Sequence, residues 1–218
     1  MTEKVLGYFL IIIFPLVIIL GNFKLLITDF SFYQSLYNKT GVYRDFGDKK
    51  VVDGATNNLF GYFWGKNMLD ANFYSSQAIS HLKDVRDLLI FTNGLFYISL
   101  FVVISFFIFL LVKKQKKIIL KSLLLGSIAT IIFIIFLGLG LANAFDAVFL
   151  KFHQALFANT LWLFPSGDNL IRLFPQQFFV DFANKLAVNI FGSAFLIAAL
   201  SFRIDRHTYS CPLKNSSS

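Results

Sequence analysis

Residues 88–112 read LLIFTNGLFYISLFVVISFFIFLLV, 25 positions without a charge, and KKQKK follows directly at 113–117. A helix that crosses a bilayer needs about 20 mainly apolar residues, so this run is read as a span with a cationic stop. Three further uncharged runs flank it: Val5–Phe23 with 19 residues, Ser122–Phe145 with 24 and Leu186–Phe202 with 17. The transmembrane helices are accordingly expected at 5–27, 88–112, 118–142 and 184–202. Pro15 lies inside the first, where it kinks a membrane helix rather than abolishing it. That first run has the look of a signal peptide, but Gly21-Asn22-Phe23-Lys24 offers no small-residue cleavage site. It is expected to be retained.

Composition agrees. The 218 residues are 56% hydrophobic and 15% charged, with a mean hydropathy of +0.67. Soluble domains are nearer ~45–50% and ~25%, and no soluble fold hides so much apolar surface. The single cysteine, Cys211, excludes a disulfide framework and cysteine-rich metal or cluster sites. Three histidines leave little for a histidine metal cluster. No cofactor and no metal are expected.

The formal charge of +8 is unevenly placed. The link 113–117 with Lys121 carries +5 without an acid, and the tail 203–218 carries +2. The long segments 28–87 and 143–183 are close to neutral. Short positive segments stay in the cytoplasm, so the link, the tail and both termini are expected inside and the two long segments outside. The lysines therefore report topology, and no nucleic-acid partner is expected.

Those outer segments are too long for connectors and too aromatic for solvated linkers. The first carries twelve Phe, Tyr and Trp residues between Phe30 and Tyr74, and the second carries ten between Phe145 and Phe182. Aromatic rings favour the membrane–water boundary. The expected fold is therefore an all-α polytopic membrane protein, four transmembrane helices with an aromatic-rich extracellular cap. In the second segment, Phe145, Phe149, Phe152 and Leu156 recur at helical spacing and predict a helix over Ala144–Leu163. It ends at Leu163-Phe164-Pro165 because the residue before proline leaves the helical region. A helix serving only to rest on lipid has the same pattern. Asp168 is a candidate N-cap for a short helix over Asn169–Phe174, with Pro175 opening the last long helix. The first segment predicts turns at Asn38–Gly41 and Asp53–Gly54, extended pieces around Tyr43–Val52, and a helix beginning near Ser75–Ser80.

Two histidines fall in these outer segments, His81 and His153; His207 lies in the basic tail and reads as a solvated group. Asp84, three residues after His81 on one helical face, is expected to orient that imidazole and favour its protonated form. His153 has no acid at that distance. Two imidazoles in unlike settings can serve as base and acid in one proton-transfer sequence, although a structural, hydrogen-bonded histidine is the commoner role. A metal site from His81, His153 and Asp84 lacks the supporting His-Glu-x-x-His pattern. No Gly-x-Ser-x-Gly elbow is present, and Cys211 is expected on the cytoplasmic side. The uncharged runs hold no group titrating near neutrality, which argues against a transport route.

The stretch Phe152-His153-Gln154-Ala155-Leu156-Phe157-Ala158-Asn159-Thr160-Leu161-Trp162 continues through Pro165, Asp168-Asn169-Leu170-Ile171 and Leu173-Phe174-Pro175-Gln176-Gln177-Phe178-Phe179. With Ile79-Ser80-His81-Leu82-Lys83-Asp84-Val85, it resembles the bacterial lipoprotein intramolecular transacylases along almost the whole chain. Family members often carry an acid shortly before the first histidine, where this chain has Gln77-Ala78. The resemblance implies a multi-pass protein of the bacterial cytoplasmic membrane with its site on the extracellular face, amid membrane lipid. Its substrate would be a diacylglyceryl lipoprotein. The sn-2 acyl chain would move to the α-amine of the N-terminal cysteine, giving an N-acyl, S-monoacylglyceryl product. His81 and His153 would be catalytic, Asn159, Trp162 and Asp168 would line or brace the substrate site, and Asp84 would support His81. The alternative is a non-catalytic membrane subunit whose aromatic cap docks a lipid or protein partner.

Overall fold

Eight helices and no strand make up the described residues, 2–209, of the computed structural model. They are α1 (Thr2–Ile27), α2 (Phe30–Thr40), α3 (Val42–Phe46), α4 (Lys49–Phe63), α5 (Ser76–Val112), α6 (Lys116–Leu156), α7 (Asn169–Leu173) and α8 (Gln176–Tyr209). Cys211 and the remainder of the tail lie outside the described residues, as does the side chain of His207. Four helices are long and apolar enough to cross a membrane: Thr2–Ile27, Ser76–Val112, Lys116–Leu141 and Gln176–Arg206. The protein is a four-span, all-helical membrane protein. Helix α5 shows why its span is only part of it. Thirty-seven residues rise about 55 Å at helical pitch, well beyond a hydrocarbon core of about 30 Å. The charged first turns of α5, up to Asp87, precede the uncharged part.

The chain divides into two compact units, one from Met1–Asn22, Gly94–Leu137 and Ala187–Ser218, the other from Phe23–Asn93 and Gly138–Leu186. In the first unit, small residues set the packing. A Cβ on Gly7 would stand 2.7 Å from Ile118 Cγ2, and one on Gly126 would stand 3.4 Å from the Ile11 carbonyl oxygen. That carbonyl belongs to the residue four before Pro15, whose missing N–H leaves it without its helical donor. Glycine lets α6 approach it closely, the usual logic of helix contacts in lipid. Ser122 Oγ donates to the Gly7 carbonyl at 3.0 Å, and Asn22 Nδ2 donates to Ser193 Oγ at 3.2 Å. Outward-facing Ile12, Phe101 and Phe136 are exposed, as lipid-facing side chains should be.

The second unit is an aromatic bundle. Tyr33, Tyr37 and Phe178 lie in its buried core, with Phe174 and Phe182 packed against it. Tyr37 and Phe178 stack at 5.7 Å, and Tyr33 meets Phe178 edge-on at 5.2 Å. Two of the buried hydroxyls are paired: Tyr37 Oη with Thr56 Oγ1 at 2.9 Å, and Tyr74 Oη, which donates to the Ala55 carbonyl at 2.9 Å.

Two local expectations are corrected. The extended pieces around Tyr43–Val52 and the turn at Asp53–Gly54 are absent; α3 and α4 occupy this region. Gly41 and Gly47 adopt φ of +78° and +73°, ending α2 and α3, and Asp48 caps α4 by accepting from Lys50 N at 2.8 Å. Val52, Ala55, Thr56, Leu59 and Tyr62 then form one buried stripe at helical spacing. That burial overrides the β-preference of Val51-Val52 and the breaker signal of Gly54. The second correction concerns the helix expected over Ala144–Leu163. It is the end of α6, offset by a break at Ala144 (φ −150°, ψ 46°), and it stops at Leu156. The Asn159 carboxamide competes for the backbone there, accepting from Leu161 N at 3.0 Å.

Candidate active site

Seven residues before the uncharged run, α5 carries His81, and the last turn of α6 carries His153. Both belong to the aromatic unit, and their ring centroids stand 6.4 Å apart with 30° between planes. The segment 157–164, leaving α6, folds back over them as a strap. Phe157 lies 5.0 Å and Phe164 5.6 Å from the His81 ring. Trp162 lies 5.0 Å and Phe149 4.2 Å from the His153 ring.

The two imidazoles are held differently. His153 Nδ1 is 2.8 Å from the Phe149 carbonyl oxygen. A carbonyl only accepts, so Nδ1 carries the proton and the neutral ring keeps its lone pair on Nε2. His81 is buried, and among the described residues its Nδ1 has no hydrogen-bond partner. Burial pushes this imidazole down to about 4, repulsion from His153 pushes in the same direction, and Asp84 opposes both. His153 is also lowered by burial, against the raising influence of the Phe149 carbonyl. At neutral pH both rings are therefore uncharged. Asp84 does favour protonated His81, as its spacing implies, but desolvation outweighs it.

Asp84 is instead engaged by Asn159, whose Nδ2 donates to Asp84 Oδ2 at 2.8 Å. The same Asn159 offers its backbone carbonyl to Trp162 Nε1 at 2.8 Å. Asn159 thus ties the strap to α5 and sets the indole against His153. Asp168 caps α7 at Leu170 N and accepts from Ser75 Oγ at 2.7 Å, joining the start of α5 to that of α7. Among the described residues no three His, Cys, Asp or Glu side chains gather as a metal ligand set.

Residues the motifs did not single out complete the arrangement. Gln77 Nε2 donates to the carbonyls of Leu161 at 3.1 Å and Leu163 at 2.8 Å, pinning the strap one turn before His81. Phe164 closes over His81. Gln77 was visible in sequence only as the place where an acid is usual. Phe164 stands in the sequence as one of the second outer segment's aromatic residues and as a helix end before Pro165. The uncharged, desolvated histidine pair within an aromatic wall is suited to moving one proton at a time beside an apolar substrate.

A family profile described as lipoprotein intramolecular transacylase Lit matches residues 8–179. The fold is similar to a solved in meso structure of the membrane integral lipoprotein intramolecular transacylase Lit from Bacillus cereus. The TM-score is 0.87 at 23% identity, covering 96% of this chain and 99% of that one. A structure of the same Bacillus cereus protein with a histidine-to-alanine mutation gives a TM-score of 0.82 at 23% identity, covering 96% of each chain. At this identity the likeness concerns the fold. None of the curated proteins matches the sequence.

Proposed function

The chain belongs to the lipoprotein intramolecular transacylase family, and from that premise we propose that it moves the sn-2 acyl chain of a diacylglyceryl lipoprotein to the α-amine of that lipoprotein's N-terminal cysteine. The reaction leaves an N-acyl, S-monoacylglyceryl product, the lyso form. The observation that carries this reading is the pairing of His81 with His153, 6.4 Å apart and unlike in their hydrogen bonding.

Donor ester and acceptor amine belong to one molecule, so the main task is to hold that molecule folded. Well-oriented intramolecular reactions recover roughly 7–11 kcal/mol of barrier, and the aromatic strap supplies walls for such a mould. An α-amine has a pKa near ~7.7–8.0 and attacks only when neutral. His153, with Nδ1–H committed to the Phe149 carbonyl, presents Nε2 as the base. The amine nitrogen bonds to the ester carbonyl carbon and gives its proton to Nε2. The proton then passes from His153 to His81, and collapse of the tetrahedral adduct breaks the bond to the glycerol oxygen, which takes that proton from His81. The one proton that leaves nitrogen is the one that reaches oxygen, so both rings end uncharged as they began. Mutual repulsion lets only one ring be charged at a time, which suits the sequence.

In this proposal the lysine link 113–117 and both termini are cytoplasmic, the aromatic unit lies at the outer face, and Asn159, Trp162 and Asp84 hold the strap. Asp168 braces the fold rather than touching substrate. The test is mass spectrometry of a lipoprotein N-terminal peptide from cells that make the diacylglyceryl form, with and without this gene. The expected product carries one acyl group on the amine and one on the glyceryl, total unchanged. A free amine retained despite membrane expression would overturn the reading.

A further inference from the structure

A shallow, open groove lies on the strap and the first turns of α5, lined by Ser76, Gln77, Ser80, Thr160, Leu161 and Leu163. Both walls belong to the candidate site's own elements: Ser80 is the residue before His81, and 160–163 is the strap that carries Trp162. Yet the groove differs in chemistry from the aromatic surroundings of the histidines. Among the described residues no hydrogen bond engages the hydroxyls of Ser76 and Thr160, or Oε1 of Gln77, whose Nε2 is committed to the strap carbonyls. Ser76 and Thr160 are solvent-exposed. Donors and acceptors therefore stand on both elements that line the groove, together with the exposed Leu163 side chain.

We propose that this groove binds the polypeptide immediately following the acylated cysteine, through its backbone N–H and C=O groups. The inference rests on the transacylase reading and deepens it. A diacylglyceryl lipoprotein has two unlike halves. Its acyl chains require apolar surroundings, whereas its polypeptide must leave the site toward water with every backbone polar group satisfied. The histidine pair lies among aromatic rings, and the groove beside it is hydroxyl-bearing and open. The openness means that a chain of any length and fold can continue outward, and backbone contacts tolerate many sequences. Gln77 holds the strap wall in place, so the groove keeps its shape without occupant.

The test compares two substrates on the purified full-length protein: a diacylglyceryl-cysteine amide, and a diacylglyceryl-cysteine peptide carrying eight further residues. Turnover is followed by mass spectrometry of the N-acyl product. Ser76→Trp, which fills the groove from the α5 wall, is expected to raise KM for the long substrate tenfold or more with kcat little changed, leaving the amide unaffected. The double variant Ser76→Ala with Thr160→Ala adds no bulk, and is expected to raise KM for the long substrate about threefold to tenfold, as for one or two lost hydrogen bonds. Equal losses on both substrates, or no loss on the long one in either variant, would overturn the groove assignment while leaving the transacylase reading intact. No N-acyl product from either substrate with the unsubstituted protein would overturn the transacylase reading, and the groove assignment with it.

Discussion

In the unit that holds the middle of α5 and the first part of α6, the buried polar groups are few and small: Ser99, Ser122, Ser127, Thr130 and Ser201. The aromatic unit instead buries four tyrosines and His81, and ties its loops with carboxylates and carboxamides. Solvent explains the contrast. Between helices in lipid there is no hydrophobic gain, so contact depends on close approach by glycine and serine. Outside the bilayer, water drives large rings into a core, and those rings bring polar tips that must be paired. A protein that handles a lipid attached to a polypeptide has use for both environments.

The largest expected effect separates catalysis from packing within the aromatic unit. His153→Ala and His81→Ala are each expected to reduce transacylation by roughly 10²–10⁴, the usual worth of a positioned acid or base, with the melting temperature in detergent little changed for His153→Ala. A docking cap without chemistry would tolerate both, and full activity in the two single variants would remove the histidines from the mechanism.

Packing itself gives the next contrast. Tyr37 is fully buried among Tyr33, Tyr43, Phe174 and Phe178, so Tyr37→Ala should destabilise the protein by about 3–5 kcal/mol, as for other buried aromatic truncations. In the spanning unit, damage comes from addition. Gly7→Val places a branched side chain where a single Cβ already stands 2.7 Å from Ile118, and overpacking of this kind costs about 1–3 kcal/mol. Thermal unfolding of both variants in one detergent checks the order. A Gly7→Val protein as stable as the parent would mean the α1–α6 contact is not close.

How much of this was readable beforehand follows the same division. The spans were legible because lipid imposes one strong rule, an unbroken apolar run, and α5 and α6 contain such runs between charges. The Asp168 cap was legible because a short side chain three residues into a Pro-Ser-Gly turn has few other uses. Helix α4 was misread: Val51-Val52 and Gly54 spell strand and turn locally, and only the buried stripe through Tyr62 reveals the helix. His81 and His153 stand out in the sequence by rarity, but their electrostatics do not. Asp84 sits at the right spacing from His81, and nothing in the spacing says that Asn159, 75 positions later, engages its carboxylate.

That electrostatic difference makes a pH prediction for the aromatic unit alone. His81 falls from an ordinary 6.5 to about 4 on folding. Between those values the unfolded chain binds the proton and the folded chain does not, so stability is complete above pH 6.5 and declines as pH falls toward 4. His81→Phe, which keeps a ring against Phe157 and Phe164, should reduce the slope of the melting temperature across pH 4–6.5, with His153 supplying part of the slope that remains. An unchanged slope would assign the acid sensitivity elsewhere.

The smallest effect probes the strap. Gln77 donates twice from one nitrogen, to the carbonyls of Leu161 and Leu163. Gln77→Glu keeps the shape, but an ionised carboxylate only accepts and would face two acceptors. Protonated, it has one O–H and can restore one bond. The strap in this variant should therefore open more readily at pH 8 than at pH 5, while Gln77→Ala loosens it at both. Hydrogen exchange of the 157–164 amides, corrected for intrinsic rate, measures the opening. Two bonds of about 1 kcal/mol each correspond to roughly 10–30-fold faster exchange. Exchange in Gln77→Glu at pH 8 equal to that of the parent would show that the strap is held by ring packing and Asn159 alone. The aromatic unit would then be closer to the spanning unit in its physics than its hydrogen bonds suggest.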